Sequence, residues 1–156
     1  MELVEIAIEK LKSHGVTIEN MGALVLESQI KYDPTLELEE CINAVHSVLT
    51  KREVIHAVLT GMAIDEAVEN NTFDPIISEI IQEDKPLYGL DEILALSIVN
   101  IYGSIALTNF GYLDKVKPGI IGEVDQLGKH SNNCTTFLDD IAGAIVAAAI
   151  SRIAHK

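Results

Sequence analysis

The chain has no tryptophan, and aromatic residues make up only 4% of its 156 residues. Proteins that bind single-stranded nucleic acid stack the bases on aromatic side chains, so this class is poorly supported. Basic residues are also scarce, because 11 lysines and arginines stand against 24 acids and give a formal charge of −13. Without a basic surface, we expect neither nucleic acid nor non-specific adhesion to anionic lipid.

Cysteine is nearly absent as well, since only Cys41 and Cys134 occur, and they are far apart in the sequence. They form no CxxC motif, and the N-terminus shows no signal-peptide pattern, which favours a cytoplasmic location. A peripheral position at the membrane is compatible with that location. We interpret both thiols as buried structural groups.

Hydrophobic residues are abundant, at 48%, and charged residues reach 22%, which excludes a disordered chain. Apolar residues recur at helical spacing nearly throughout, and no segment alternates as a strand does. The sequence therefore predicts an all-α fold: a single-domain globular helical bundle over residues 1–156. Self-association into a homo-oligomer is left open.

One long segment, Ile93–Leu113, contains no charged residue and is nominally long enough to span a bilayer. Asn100 and Ser104 lie inside it and no basic cluster flanks it, so we predict a buried apolar helix starting near Asp91 and no transmembrane span. Local signals favour one straight helix from Asp91 to Asn109. A hairpin broken at Tyr102–Ser104 is the alternative.

Two acidic pairs precede the most apolar segments: Asp91-Glu92 and Asp139-Asp140. Acids in a first helical turn interact favourably with the helix dipole, so capping alone could explain each pair. If both helix starts meet at one end of the bundle, four carboxylates crowd together, which is costly without a cation. Oxygen ligands of this kind suit Mg²⁺ or another divalent cation.

Between the pairs lies Asp114-Lys-Val-Lys117-Pro118. A lysine beside a metal–carboxylate cluster is a natural partner for phosphate oxygens. The alternative interpretation is a helix end with solvated lysines.

Other motifs indicate local structure. Two capping boxes are predicted, at Thr50–Glu53 and Thr136–Asp139, and Asp74-Pro75 marks a helix start. Asp65 and Glu66 are predicted on a solvated helix face, and residues 128–133 as a polar loop.

The order Asp91-Glu92, Asp114-x-x-Lys117-Pro118 and Asp139-Asp140-Ile-Ala-Gly143 resembles the signature of the phosphatidylglycerophosphatase A family. The chain as a whole is similar to its soluble Gram-positive branch, labelled low temperature requirement C protein. The resemblance implies Mg²⁺-dependent hydrolysis of a phosphomonoester, phosphatidylglycerophosphate or a related ester. By position, the two acidic pairs would hold the metal, and Asp114 and Lys117 would complete the catalytic site.

The two acidic pairs are expected to converge in either arrangement of the segment after Asp91, and the resemblance favours Asp114 and Lys117 joining them. Two other functions remain open from the residues. The protein could bind a divalent metal without turnover, as a regulatory protein, or be a helical oligomer in which the acids only cap helices.

Overall fold

The computed structural model describes residues 2–156, and nine α-helices lie in that range with no strand. They are α1 (Leu3–Ser13), α2 (Ile18–Gln29), α3 (Leu38–Leu49), α4 (Arg52–Glu69), α5 (Pro75–Gln82), α6 (Leu90–Val99), α7 (Ser104–Val116), α8 (Gly119–His130) and α9 (Thr136–Ala154). The helices share one hydrophobic core to which α1–α9 all contribute. The predicted all-α, single-domain bundle is confirmed.

Helix α9 lies at the centre of the bundle, and every residue from Thr136 to Ser151 is buried. The uncharged run Ile141–Ser151 leaves this helix without a polar face to turn toward solvent, so burial on all sides follows. Helices α2, α3, α4, α6, α7 and α8 all contact it. Small residues permit close approach: at Gly61 of α4, an added Cβ would overlap the Ile141 side chain. Asp139 and Asp140 thus lie in the first turns of a helix that the rest of the fold encloses.

The outer helices begin at well-defined caps. Thr17 accepts a hydrogen bond from the Asn20 amide at 3.0 Å, and Asp74 accepts one from the Ile77 amide at 2.9 Å. The helix start predicted at Asp74-Pro75 is therefore confirmed. Both cysteines, Cys41 and Cys134, are buried and free, as predicted.

A helix begins near Asp91 as predicted, at Leu90, but the favoured single straight helix from Asp91 to Asn109 was wrong. The chain breaks between Val99 and Ser104, where Gly103 takes a left-handed φ of +88°. The Tyr102 carbonyl in this turn accepts a hydrogen bond from the Ser151 hydroxyl of α9 at 3.1 Å. This tertiary contact stabilises a helix break that the local sequence indicates only weakly. Ile93 is 61% exposed, hence α6 is only partly buried. Within residues 2–156, no helix has the length and apolarity that crossing a bilayer requires.

Both predicted capping boxes are absent, because the threonine hydroxyl that would cap each helix bonds to a carbonyl elsewhere. Helix α4 begins at Arg52, and the Thr50 hydroxyl donates backward to the Ser47 carbonyl instead of capping. At α9, the Thr136 hydroxyl donates to the Ile81 carbonyl at 2.7 Å, and Asp139 pairs with Lys117. The predicted loop at 128–133 is also shorter, because α8 continues to His130.

Candidate active site

Three helix ends meet at one end of the bundle and carry all six residues singled out from the sequence. Helix α6 begins there after Gly89, whose left-handed φ of +71° turns the chain into its first turn. The break at Gly103 lets α7 run back, so that its C-terminus lies beside the N-terminus of α9. The hairpin alternative is therefore the one that the chain adopts.

The centre of this region is a group of three carboxylates. One oxygen each from Asp114, Asp139 and Asp140 lies within 4.8 Å of the others, and both α9 aspartates are buried. Asp91, itself buried, lies near Asp140 and contributes to raising the pKa of that carboxyl group. Glu92 is exposed and lies at the rim, near Asp114 and Asp91. The acidic pairs thus converge, and Asp114 joins them.

Lys117 joins the group as well. Its Nζ lies 2.9 Å from Asp139 Oδ2 and 3.2 Å from Asp114 Oδ1. Its backbone closes α7 in the left-handed conformation, with φ of +51°, a position that usually favours glycine or asparagine. Such strain costs on the order of 1–2 kcal/mol. The ammonium is thereby placed between two carboxylates at the turn into α8.

The electrostatics of the group follow from burial and crowding. Burial raises the pKa of the Asp140 carboxyl, and the neighbouring Asp139 charge raises it further. Burial also raises the pKa of Asp139, although the Lys117 ammonium opposes the shift. Burial alone would lower the pKa of Lys117, but the charges of Asp139 and Asp114 outweigh it and raise the value above the ordinary range. The lysine therefore stays charged, and the protonated form of Asp140 is favoured.

The donor set fits a hard divalent cation. Carboxylate oxygens are the ligands that Mg²⁺ and similar ions prefer, and a cation would relieve the repulsion among these crowded carboxylates. Asp114, Asp139 and Asp140 are placed to hold it, with Asp91 adjoining. A cavity of about 410 Å³ adjoins Asp139 and leaves space for a ligand. Its other polar lining residues include Asp84, Asp125, Lys129, Thr135 and Thr136.

One residue at this end of the bundle was misplaced by sequence reasoning. Asp65 of α4, predicted on a solvated face, is 4% exposed and accepts hydrogen bonds from the Phe137 and Leu138 amides. Burial raises its pKa to about 7, against the opposing effect of those hydrogen bonds. The missed signal was its position on the stripe of buried residues that includes Val58 and Val68. Its neighbour Glu66 does lie near the surface, paired with Lys10 and His14.

Two known proteins are similar to this chain over nearly all of its length. The Bacillus subtilis protein YpjQ is 51% identical over 154 residues, which cover 99% of this chain and 85% of YpjQ. The B. subtilis protein YutG is 48% identical over 147 residues, covering 94% of this chain and 87% of YutG. Both relatives are described as uncharacterized.

The solved structure of low temperature requirement C protein from Listeria monocytogenes superposes with a TM-score of 0.94 at 50% identity. The match covers 99% of this chain and 96% of the Listeria chain. The sequence model of the phosphatidylglycerophosphatase A family matches residues 10–155. The resemblance stated from the motif order is confirmed, and the chain belongs to the phosphatidylglycerophosphatase A family.

Proposed function

We propose that this protein is a divalent-metal-dependent phosphomonoester hydrolase, and that Mg²⁺ is its cofactor. The observation that carries the proposal is the group of three carboxylates, Asp114, Asp139 and Asp140, with the Lys117 ammonium held against two of them. A site that combines clustered carboxylates with a fixed ammonium has the charges needed to hold both a cation and a phosphate dianion.

The carboxylates form the metal-holding part of the site. Asp139 and Asp140 come from the rigid first turns of α9, and Asp114 comes from the end of α7. Asp91 supports the group through Asp140, and Glu92 at the rim contributes negative charge. When bound, Mg²⁺ supplies positive charge at the phosphate and a water of lowered pKa.

Lys117 is assigned to the phosphate. Its raised pKa keeps it protonated, so it acts as a fixed positive charge and not as a base. Both of its partners, Asp114 and Asp139, also belong to the carboxylate group, so their engagement with a cation would free the ammonium to contact non-bridging phosphate oxygens. Asp114 then remains close enough to orient the attacking water or Lys117.

The substrate is proposed from the family and from the space beside the site. Membership of the phosphatidylglycerophosphatase A family favours phosphatidylglycerophosphate, cleaved to phosphatidylglycerol and phosphate. The cavity of about 410 Å³ next to Asp139 gives room for a phosphate group and part of the alcohol that carries it. Phosphate-ester specificity beyond this would come from the surface around that cavity.

The test is release of inorganic phosphate from phosphatidylglycerophosphate in mixed micelles and from soluble phosphomonoesters, with Mg²⁺ or with EDTA. We expect Mg²⁺-dependent release by the native protein and a loss of about 100-fold or more in kcat for Asp139→Asn and for Lys117→Met.

Lys117→Met should bind Mg²⁺ at least as tightly as the native protein, because a competing positive charge is removed. Glu39→Gln, an exposed acid on α3, is the matched control and should retain full activity. Mg²⁺ binding without phosphate release from any ester would contradict the hydrolase and support a regulatory metal-binding protein. If the protein neither bound Mg²⁺ nor released phosphate, the acidic pairs would serve only as helix caps.

A further inference from the structure

The first turn of α9 is held by carboxylates from another helix. Asp65 Oδ2 accepts hydrogen bonds from the Phe137 amide at 3.1 Å and from the Leu138 amide at 2.9 Å. One helical turn further along α4, Glu69 Oε1 accepts a hydrogen bond from the Cys134 amide at 2.9 Å. Amides at a helix start have no partner within the helix, and α4 supplies the partners here.

The residues that would ordinarily cap α9 are engaged elsewhere. The Thr135 hydroxyl donates to the Val124 carbonyl of α8 at 3.0 Å, and the Thr136 hydroxyl donates to Ile81 of α5. Neither threonine caps the helix with its side chain. The start of α9 is therefore tied to α4, α5 and α8, and only α4 supplies a negative charge to its amides.

Asp139 follows Leu138 directly in the chain, and Asp140 is the next residue. A displacement of the Phe137 and Leu138 amides would move both carboxylates, because the intervening backbone is helical and buried. Asp65 is itself enclosed, at 4% exposure, so its carboxylate has little freedom to follow such a movement.

We infer that Asp65 and Glu69 are positioning residues, which set the place of Asp139 and Asp140 by holding the amides at the start of α9. Neither side chain belongs to the carboxylate group itself. Residues that orient metal ligands in this way typically affect metal affinity by 10- to 100-fold. The metal-affinity test of this inference rests on the proposed function, because it requires that the carboxylate group binds a divalent cation.

The experiment measures Mn²⁺ affinity, by electron paramagnetic resonance well below the melting temperature, for the native protein, Asp65→Asn and Asp65→Ala. Both variants lose the same charge, but asparagine keeps one oxygen that accepts from an amide. We expect affinity to fall about tenfold for Asp65→Asn and markedly further for Asp65→Ala. Equal losses would mean that only the charge acts on the site, and unchanged affinity in both would overturn the inference outright.

Three further variants separate positioning from stability. Val54→Ala removes buried volume elsewhere in α4 and should lower the melting temperature without changing Mn²⁺ affinity. Glu66→Gln removes a charge from the same turn as Asp65 and should be neutral for binding. Glu69→Ala changes a partly exposed residue and keeps Asp65, so it tests the inference if the Asp65 variants do not fold. It should weaken Mn²⁺ affinity two- to fivefold. Unchanged Mn²⁺ affinity in Glu69→Ala would contradict the inference.

Amide hydrogen exchange at Phe137 and Leu138 gives a readout that needs no metal. In Asp65→Ala, and to a smaller degree in Glu69→Ala, exchange at this turn should accelerate at least tenfold beyond that in Val54→Ala. If the native protein binds no Mn²⁺, the proposed function fails while this measurement still decides whether α4 holds the turn. Exchange equal to that in Val54→Ala would refute the positioning role.

Discussion

Lys117 combines two features that each carry a cost. Its backbone adopts a left-handed φ of +51°, and its half-buried ammonium lies between Asp114 and Asp139. A glycine would relieve the backbone but would leave Asp139 without its cation. The strained conformation thus serves to place a positive charge at the carboxylate group, which agrees with strain being concentrated at functional sites.

A charge on Asp140 is costly in the metal-free fold. Its pKa is raised from the ordinary value of 3.8 by burial and by Asp139. An acid with a raised folded pKa destabilises the protein progressively as pH rises above the unfolded value, because only the unfolded chain releases the proton freely.

We therefore expect Asp140→Asn to stabilise the metal-free protein by more than about 1 kcal/mol at pH 7, with little effect near pH 4. Urea unfolding in EDTA at both pH values measures this. Asp33→Asn is the control, because Thr35 and Lys156 lower the pKa of Asp33 and its loss should give no stabilisation. A gain from Asp140→Asn that did not grow with pH would show that charge is not its cause.

At the scale of helices, the sequence predicted most elements but not the contacts that end them. Apolar spacing sufficed for an all-α fold because every helix contributes apolar residues to the core, and α9 is buried from Thr136 to Ser151. The Thr136–Asp139 capping box failed because both residues have tertiary partners, Ile81 and Lys117, which local sequence cannot reveal. The Thr50–Glu53 box failed for a local reason, since the Thr50 hydroxyl donates to the Ser47 carbonyl three residues earlier. The break at Gly103 depends on Ser151, a residue 48 positions later in the chain.

The candidate site was likewise predictable from the sequence only in part. The acidic pairs and the Asp114–Lys117 element were identified because residue type and order carry the signal. Asp65 was missed as a site neighbour because its role depends on which helix end lies opposite α4, and that is a property of the packed bundle.

The turn between α7 and α8 provides a test at this scale. At Gly122 of α8, an added Cβ would overlap the Lys117 carbonyl oxygen, a backbone atom that cannot rotate away. At Gly111 of α7, an added Cβ meets nothing within 4 Å. The two glycines form a matched pair on the two helices that flank Lys117.

We expect Gly122→Ala to displace the turn and lower kcat for phosphate release at least tenfold. Gly111→Ala should leave activity unchanged and stabilise the helix by up to about 1 kcal/mol, since alanine favours helices over glycine. Steady-state kinetics and thermal melting of both variants measure the effects. Full activity in Gly122→Ala would show that the place of Lys117 is not essential.

Charge is distributed unevenly along the chain. Residues 1–92, which include Asp91 and Glu92 of the candidate site, carry a net charge of −13, and residues 93–156 a net charge of zero. Asp139 and Asp140 of α9 differ from the exposed acids, because they are buried. Salt should screen the outer charges strongly and the buried group only weakly.

We expect Mg²⁺ to raise the melting temperature of the whole protein, and the increase to be larger at pH 8 than at pH 5. The raised pKa values of Asp139 and Asp140 mean that binding must displace protons, so affinity rises with pH. Thermal melting with and without Mg²⁺ at fixed ionic strength measures this. An equal increase at both pH values would point to binding at exposed acids instead.

We propose that one site of this protein holds a divalent cation and a phosphate together. Anomalous diffraction from crystals grown with Mn²⁺ and inorganic phosphate tests it most directly. We expect a Mn²⁺ peak about 2.1–2.2 Å from carboxylate oxygens of Asp114, Asp139 and Asp140, with phosphate in contact with both the ion and Lys117 Nζ. Absence of a peak at these carboxylates, with Lys117 still bridging Asp114 and Asp139, would contradict the claim.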